Sequence, residues 1–138
     1  MGNFSVEHKN PDGLFKSPVF SQAITVSGRS KTIYIGGQNA VNRQGEIVGK
    51  DDLALQTKQI LENIQVILSS EGASLKDLIK MNIYMVQGCD PRAGLGAFRE
   101  VMGDLKNPPI ITVLFVAGLA NPNFLIEIDG IAVVEDKD

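Results

Sequence analysis

Two carboxylates, Glu127 and Asp129, stand two residues apart in the run Phe124 to Val134 (FLIEIDGIAVV). In a strand, side chains alternate between faces, so both share one side with Leu125, Ile131 and Val133. A carboxylate held among apolar groups gains proton affinity and can hold or activate a water as general base. The competing reading is a solvated sheet edge, where acidic side chains usually sit. Gly36-Gly37-Gln38 closes a β-prone run and either lets a ligand approach the backbone or forms a plain bulge. No helix follows it to cradle a phosphate, and Gly94-x-Gly96 has Arg99 where a dinucleotide fingerprint needs its third glycine.

The other chemistry-bearing residues are sparse. Cys89 is the single cysteine and His8 the single histidine, which argues against an internal disulfide and against the common zinc sites. Cys89, beside Pro91 and with no histidine near it in sequence, reads as a structural thiol, and His8, beside Lys9, as a surface residue. Ser21 and Ser27 have only that histidine as a partner for a serine-histidine-acid arrangement. The formal charge of −3, without a basic cluster, gives no electrostatic footprint for nucleic acid. Neither an apolar run long enough for a membrane span nor a signal-peptide pattern is present, so the expected location is cytoplasmic.

These residues need a scaffold, and 138 residues, 43% of them apolar, suffice for one domain, taken as 1–138. Phe20 to Val26 and Lys31 to Gly37 are β-prone runs around Ser27-Gly28-Arg29-Ser30, which reads as a hairpin. After Asp51-Asp52 a helix is expected to about Ser70, with Leu53, Thr57, Ile60, Leu61, Ile64, Ile67 and Leu68 as its buried stripe. Ile79 to Val86 alternates as a half-buried strand, and Pro91 opens a second helix with Phe98, Val101 and Met102 inward. Ile110 to Ala117 and Phe124 to Val134 are the last strands, and Glu135 to Asp138 reads as a frayed acidic tail. The expectation is an α+β domain: one mixed sheet with both helices on one face, its bare face meeting other subunits.

Ser17 to Ala23 (SPVFSQA), 33–41 (IYIGGQNAV), 44–49 (QGEIVG), 56–85 and 125–133 (LIEIDGIAV) form a pattern whose order and spacing are specific. Through it the chain resembles the RidA (YjgF) family. The resemblance implies a chorismate-mutase-like domain that trimerises around a β-barrel core, with small-molecule clefts between subunits. Active members hydrolyse reactive imines and enamines to keto acids and ammonia without metal or organic cofactor. There an arginine holds the substrate carboxylate, a late-strand glutamate places the water, and a tyrosine and glycine backbone shape the cleft.

Carried over by position, Glu127 matches the glutamate as the catalytic candidate, and Phe20, Gly36, Gly37, Ile111 and Val113 fall at substrate-binding positions. Phe20 stands where the tyrosine is expected, Gly36 replaces a serine, and Pro109 to Val113 replaces the Pro-Ala-Arg-Ser-Cys run. Ile111 thus takes the arginine position and Val113 the cysteine position. The four arginines are Arg29, Arg43, Arg92 and Arg99, so no shift of alignment returns one to that strand, although Arg92 or Arg99 could enter from the helix. An aliphatic side chain there forfeits a charge-assisted pair of hydrogen bonds to a carboxylate. The expectations are a homotrimer with weak or absent 2-aminoacrylate-type activity and a different substrate, or a non-catalytic metabolite-binding or regulatory protein. A ribonuclease or translation-inhibitor role fits the acidic charge poorly.

Overall fold

The computed structural model describes residues 2–137. Helix α1, Leu53–Ser70, starts where the Asp52 carboxylate accepts the Leu55 N–H at 3.1 Å, so the second of the two aspartates is the cap. Its buried stripe is Leu53, Gln56, Thr57, Ile60, Leu61, Ile64 and Leu68, with Ile67 partly covered. Helix α2, Pro91–Met102, has Pro91 in its first turn and buries Gly94, Ala97 and Met102, with Phe98 and Val101 packed on the core. Gly94 is where the helices meet: a Cβ there would lie 3.4 Å from Leu53 Cδ2.

Strands β1 (Ser5–Lys9) and β2 (Ala23–Ser27) form one antiparallel pair, and β3 (Ser30–Gln38), β4 (Leu78–Val86), β5 (Ile110–Val116) and β6 (Ile126–Glu135) form a second sheet in the order β3-β6-β4-β5. β6 runs antiparallel to both neighbours, while β4 and β5 are parallel across the α2 crossover. The helices pack on one face against Ile33, Ile35, Met81, Ile83, Ile126 and Ile128, as the mixed α+β reading requires. Among the described residues, no helix covers the other face, and none is long and apolar enough to cross a membrane.

Two expectations are corrected. β2 and β3 are not hairpin partners: β2 pairs with β1, Val6 opposite Val26, and β3 pairs with β6, Ile33 opposite Ala132. The apolar β6 is the better partner for β3, and Gly28, at φ 84°, turns the chain between sheets where a Cβ would strike Asn3 O at 2.6 Å. The acidic end is not frayed throughout, since β6 continues to Glu135 and the Asp136 N–H donates to Arg29 O at 3.2 Å. Asp138 lies outside the described residues.

Gln56 is the polar element that the apolar stripe concealed. Fully buried, it donates through Nε2 to Gly49 O (3.1 Å) and Asn123 O (2.9 Å), and its Oε1 accepts the Leu125 N–H at 2.8 Å. Asn63, further along α1, donates to Asn39 O (3.2 Å) and Val41 O (3.0 Å). One helix therefore fixes both the chain entering β6 and the chain leaving β3. Gln56→Leu keeps the volume but strands these backbone groups, and denaturant unfolding is expected to show a loss of about 1–3 kcal/mol. Leu53→Ala, which cuts packing without orphaning a polar group, should leave the exchange of the Leu125 amide less affected than Gln56→Leu does.

Candidate functional site

β6 lies inside the sheet, so Glu127 and Asp129 do not occupy a solvated edge; both are half-buried on the helix-free face. Glu127 stands opposite Tyr84 and Asp129 opposite Asn82. The two carboxylates have different surroundings. Asp129 accepts from Asn82 Nδ2 at 2.7 Å and from the Tyr84 hydroxyl at 3.2 Å, so both of its oxygens are engaged. Among the described residues, none donates a hydrogen bond to the Glu127 carboxylate, which leaves its lone pairs for a water or a substrate proton.

Gly36 and Gly37 occupy a break in register between Ile35, opposite Gly130, and Gln38, opposite Ile128. This is the bulge reading of the glycine pair, and it has a consequence beyond the bend. A Cβ on Gly37 would overlap the Glu127 carboxylate, 2.9 Å from its Cδ, whereas a Cβ on Gly36 meets nothing within 4 Å. Gly37 makes room for the glutamate, and Gly36 leaves open backbone beside it.

Burial, then the hydrogen bond to Asp129, then the charges of Asp129 and Glu127 push the Tyr84 hydroxyl above the usual tyrosine range. It therefore remains a donor throughout the neutral range. Cys89 packs half-buried against the core, and burial pushes its thiol up, away from the thiolate that a nucleophile requires.

Phe20, Ile111 and Val113 lie elsewhere. Together with Ile83, Met85 and Phe98 they line an apolar pocket of about 790 Å³ between α2 and the sheet. Alternation explains the division: Ile111 and Val113 pair in register with Met81 and Ile83, the helix-facing residues of β4, while Thr112 and Leu114 share the face of Asn82 and Tyr84. The six candidate residues thus form two sets within one chain, Gly36, Gly37 and Glu127 on the bare face and Phe20, Ile111 and Val113 in the pocket.

His8 is no free surface residue. Its Nδ1 lies 2.9 Å from Pro108 O and 3.1 Å from Ser21 Oγ, and the Ser21 hydroxyl donates to Pro108 O at 2.5 Å. Ser21, 2% exposed and without a carboxylate in this cluster, fastens the β1–β2 pair to the chain entering β5 and is sealed from any substrate. Among the described residues, no group of three or more His, Cys, Asp or Glu side chains could hold a metal ion.

Gly37→Ala should displace the Glu127 carboxylate while changing global stability less than Gln56→Leu, which a structure of the variant would show directly. In Tyr34→Phe, where Tyr84 is the one tyrosine left, a spectrophotometric titration is expected to reach its midpoint above that of free tyrosine. Adding Asp129→Asn should lower the midpoint only in part, because burial is the larger cause. With the folded value raised, this group's stabilisation is complete below the unfolded tyrosine value and is lost as pH rises through the folded one.

A family profile described as Endoribonuclease L-PSP matches residues 16–134. The chain is 36% identical over 117 residues to a RutC family protein of Pyrococcus abyssi, covering 84% of this chain and 87% of that one. It is 29% identical over 124 residues to the 3-aminoacrylate deaminase RutC of Acinetobacter baylyi, covering 90% and 94% respectively. The crystal structure of a protein of unknown function from Yersinia pestis, YyfB of the conserved Rid family, superposes with a TM-score of 0.80 at 32% identity, over 94% of this chain and 98% of that one.

Proposed function

The chain belongs to the Endoribonuclease L-PSP family of RidA, YjgF and RutC proteins, and on that premise we propose that it binds small imine, enamine or keto-acid metabolites in clefts formed between copies of itself. The chemistry assigned is hydrolytic deamination on a substrate unlike the usual one. The observation that carries this reading is the Glu127 carboxylate beside the Gly37 bulge, to which none of the described residues donates a hydrogen bond, while the strand position expected to carry an arginine holds Ile111 in an apolar pocket.

Glu127 accepts a proton from water as the water oxygen bonds to the carbon of the protonated imine, whose C=N π electron pair goes to nitrogen. Glu127 then passes that proton to the nitrogen of the resulting carbinolamine, the C–N bond breaks to release ammonia, and the hydroxyl oxygen becomes a carbonyl as its own proton goes to Glu127 and on to solvent. An enamine enters the same route after protonation on carbon. Asp129, held by Asn82 and Tyr84, fixes the neighbouring strand and is not the base.

Self-association into a homotrimer accounts for the exposed apolar groups on both sheet edges. Tyr34 on β3 is 78% exposed, and Val113, Leu114 and Phe115 on β5 are each nearly half exposed. It also accounts for the division of the candidate residues, because a neighbour's pocket set can face this chain's Glu127 and Gly37 although the two sets of one chain cannot meet. The alternative, a binding or regulatory protein, draws on the same missing arginine.

Glu127→Gln is expected to reduce turnover of an imine panel by about a hundredfold or more while keeping ligand binding. Undiminished turnover removes Glu127 as base, and binding without turnover in the unmodified protein favours the regulatory alternative. Mixing Glu127→Gln with Ile111→Trp chains after co-refolding should restore activity absent from either alone; no recovery would place each site within one chain. Light scattering at micromolar concentration should give three times the chain mass.

A further inference from the structure

Resting on the small-molecule reading above, we propose that the pocket beneath α2 takes a monocarboxylate with a bulky apolar body, an aryl- or branched-alkyl 2-imino or 2-keto acid, and that Arg99 of α2 receives its carboxylate. The pocket, about 790 Å³ in volume, is of ligand-binding size, and its wall is overwhelmingly aliphatic and aromatic. A two- or three-carbon acid would leave most of that wall unfilled. Among the lining residues the charged ones are Arg92, Arg99 and Asp104.

The two arginines differ in what already holds them. Arg92 is clamped by Asp90, its Nε 3.1 and 3.2 Å from the two carboxylate oxygens and an Nη nitrogen 3.0 Å from one of them. That pairing turns it back on the first turn of α2. Arg99, two helical turns on and next to Phe98, has no hydrogen-bond or ion-pair partner for its guanidinium among the described residues. It is the cation at the pocket with its five donors uncommitted. Asp104, at the same pocket, repels a second negative charge and so favours a monocarboxylate over a dicarboxylate. The anion site has in effect moved from the strand, where Ile111 now adds to the apolar wall, to the helix.

Calorimetric titration with phenylpyruvate, pyruvate, 2-ketoglutarate and the neutral phenylacetone tests this without requiring turnover. Phenylpyruvate is expected to bind at least about tenfold more tightly than pyruvate or 2-ketoglutarate. Arg99→Met, which keeps the aliphatic stem, should weaken phenylpyruvate about tenfold or more and leave phenylacetone unchanged. Arg99→Lys should recover part of the loss. The proposal is overturned if Arg99→Met leaves phenylpyruvate binding intact, if Arg92→Met causes the loss instead, or if pyruvate binds as tightly as phenylpyruvate. Phenylacetone binding reports whether a variant's pocket is intact. A protein that shows this binding pattern and hydrolyses nothing keeps the inference and loses only the hydrolytic reading; turnover indifferent to Arg99 does the reverse.

Discussion

The placement of β6 between β3 and β4 is the constraint on which the rest of the molecule depends. A strand with neighbours on both sides must satisfy its whole backbone in ladders, and with helices on one face only it must alternate strictly. Ile126, Ile128 and Ala132 go to the helices, so Glu127 and Asp129 go to the bare face. A slip of one residue would turn two carboxylates into the apolar core, among whose described buried residues there is no Lys or Arg to pair with them. The register that builds the core also delivers the Glu127 carboxylate to the bare face, and Gln56, gripping Leu125 at the strand's entrance, helps hold that register.

Periodicity made most of this readable. The helical stripe of α1, the proline-opened α2 and the alternating β4 each repeat a local rule often enough to be read from residue types, and the shared side of Glu127 and Asp129 follows from the period of two. Partner choice was not legible. Ser5 to Lys9 holds one apolar residue among polar ones, so nothing marked it as the strand that takes β2 from β3. His8 and Ser21 are thirteen positions apart and meet only because Pro108 comes to them from the far end of the chain. The role of Gln56 was not legible because two of its three backbone partners, Asn123 and Leu125, lie nearly seventy positions further along the chain. The separation of Glu127 from Ile111 needed the pairing of β5 with β4, which sequence spacing does not contain.

The two carboxylates of β6 show how neighbours assign roles to similar groups. Asp129 spends its acceptors on Asn82 and Tyr84 and becomes part of the frame, and the glycine bulge leaves Glu127 space without a donor. Across the sheet the pocket wall around Ile111 and Val113 is apolar. A buried ion pair beside Ile111 and Val113 would carry a heavy desolvation cost, which this aliphatic wall avoids.

The β5 edge has a consequence for how the protein must be made. Ile110 to Val116 reads IITVLFV, seven residues without a charge or a proline, on a strand with one side of its backbone unpaired within the chain. Such a segment is a template for indiscriminate strand addition. A newly released chain that leaves this edge uncovered is therefore exposed to clumping through it. Its yield in a cell should depend on synthesis rate and temperature more steeply than its folded-state stability alone would suggest.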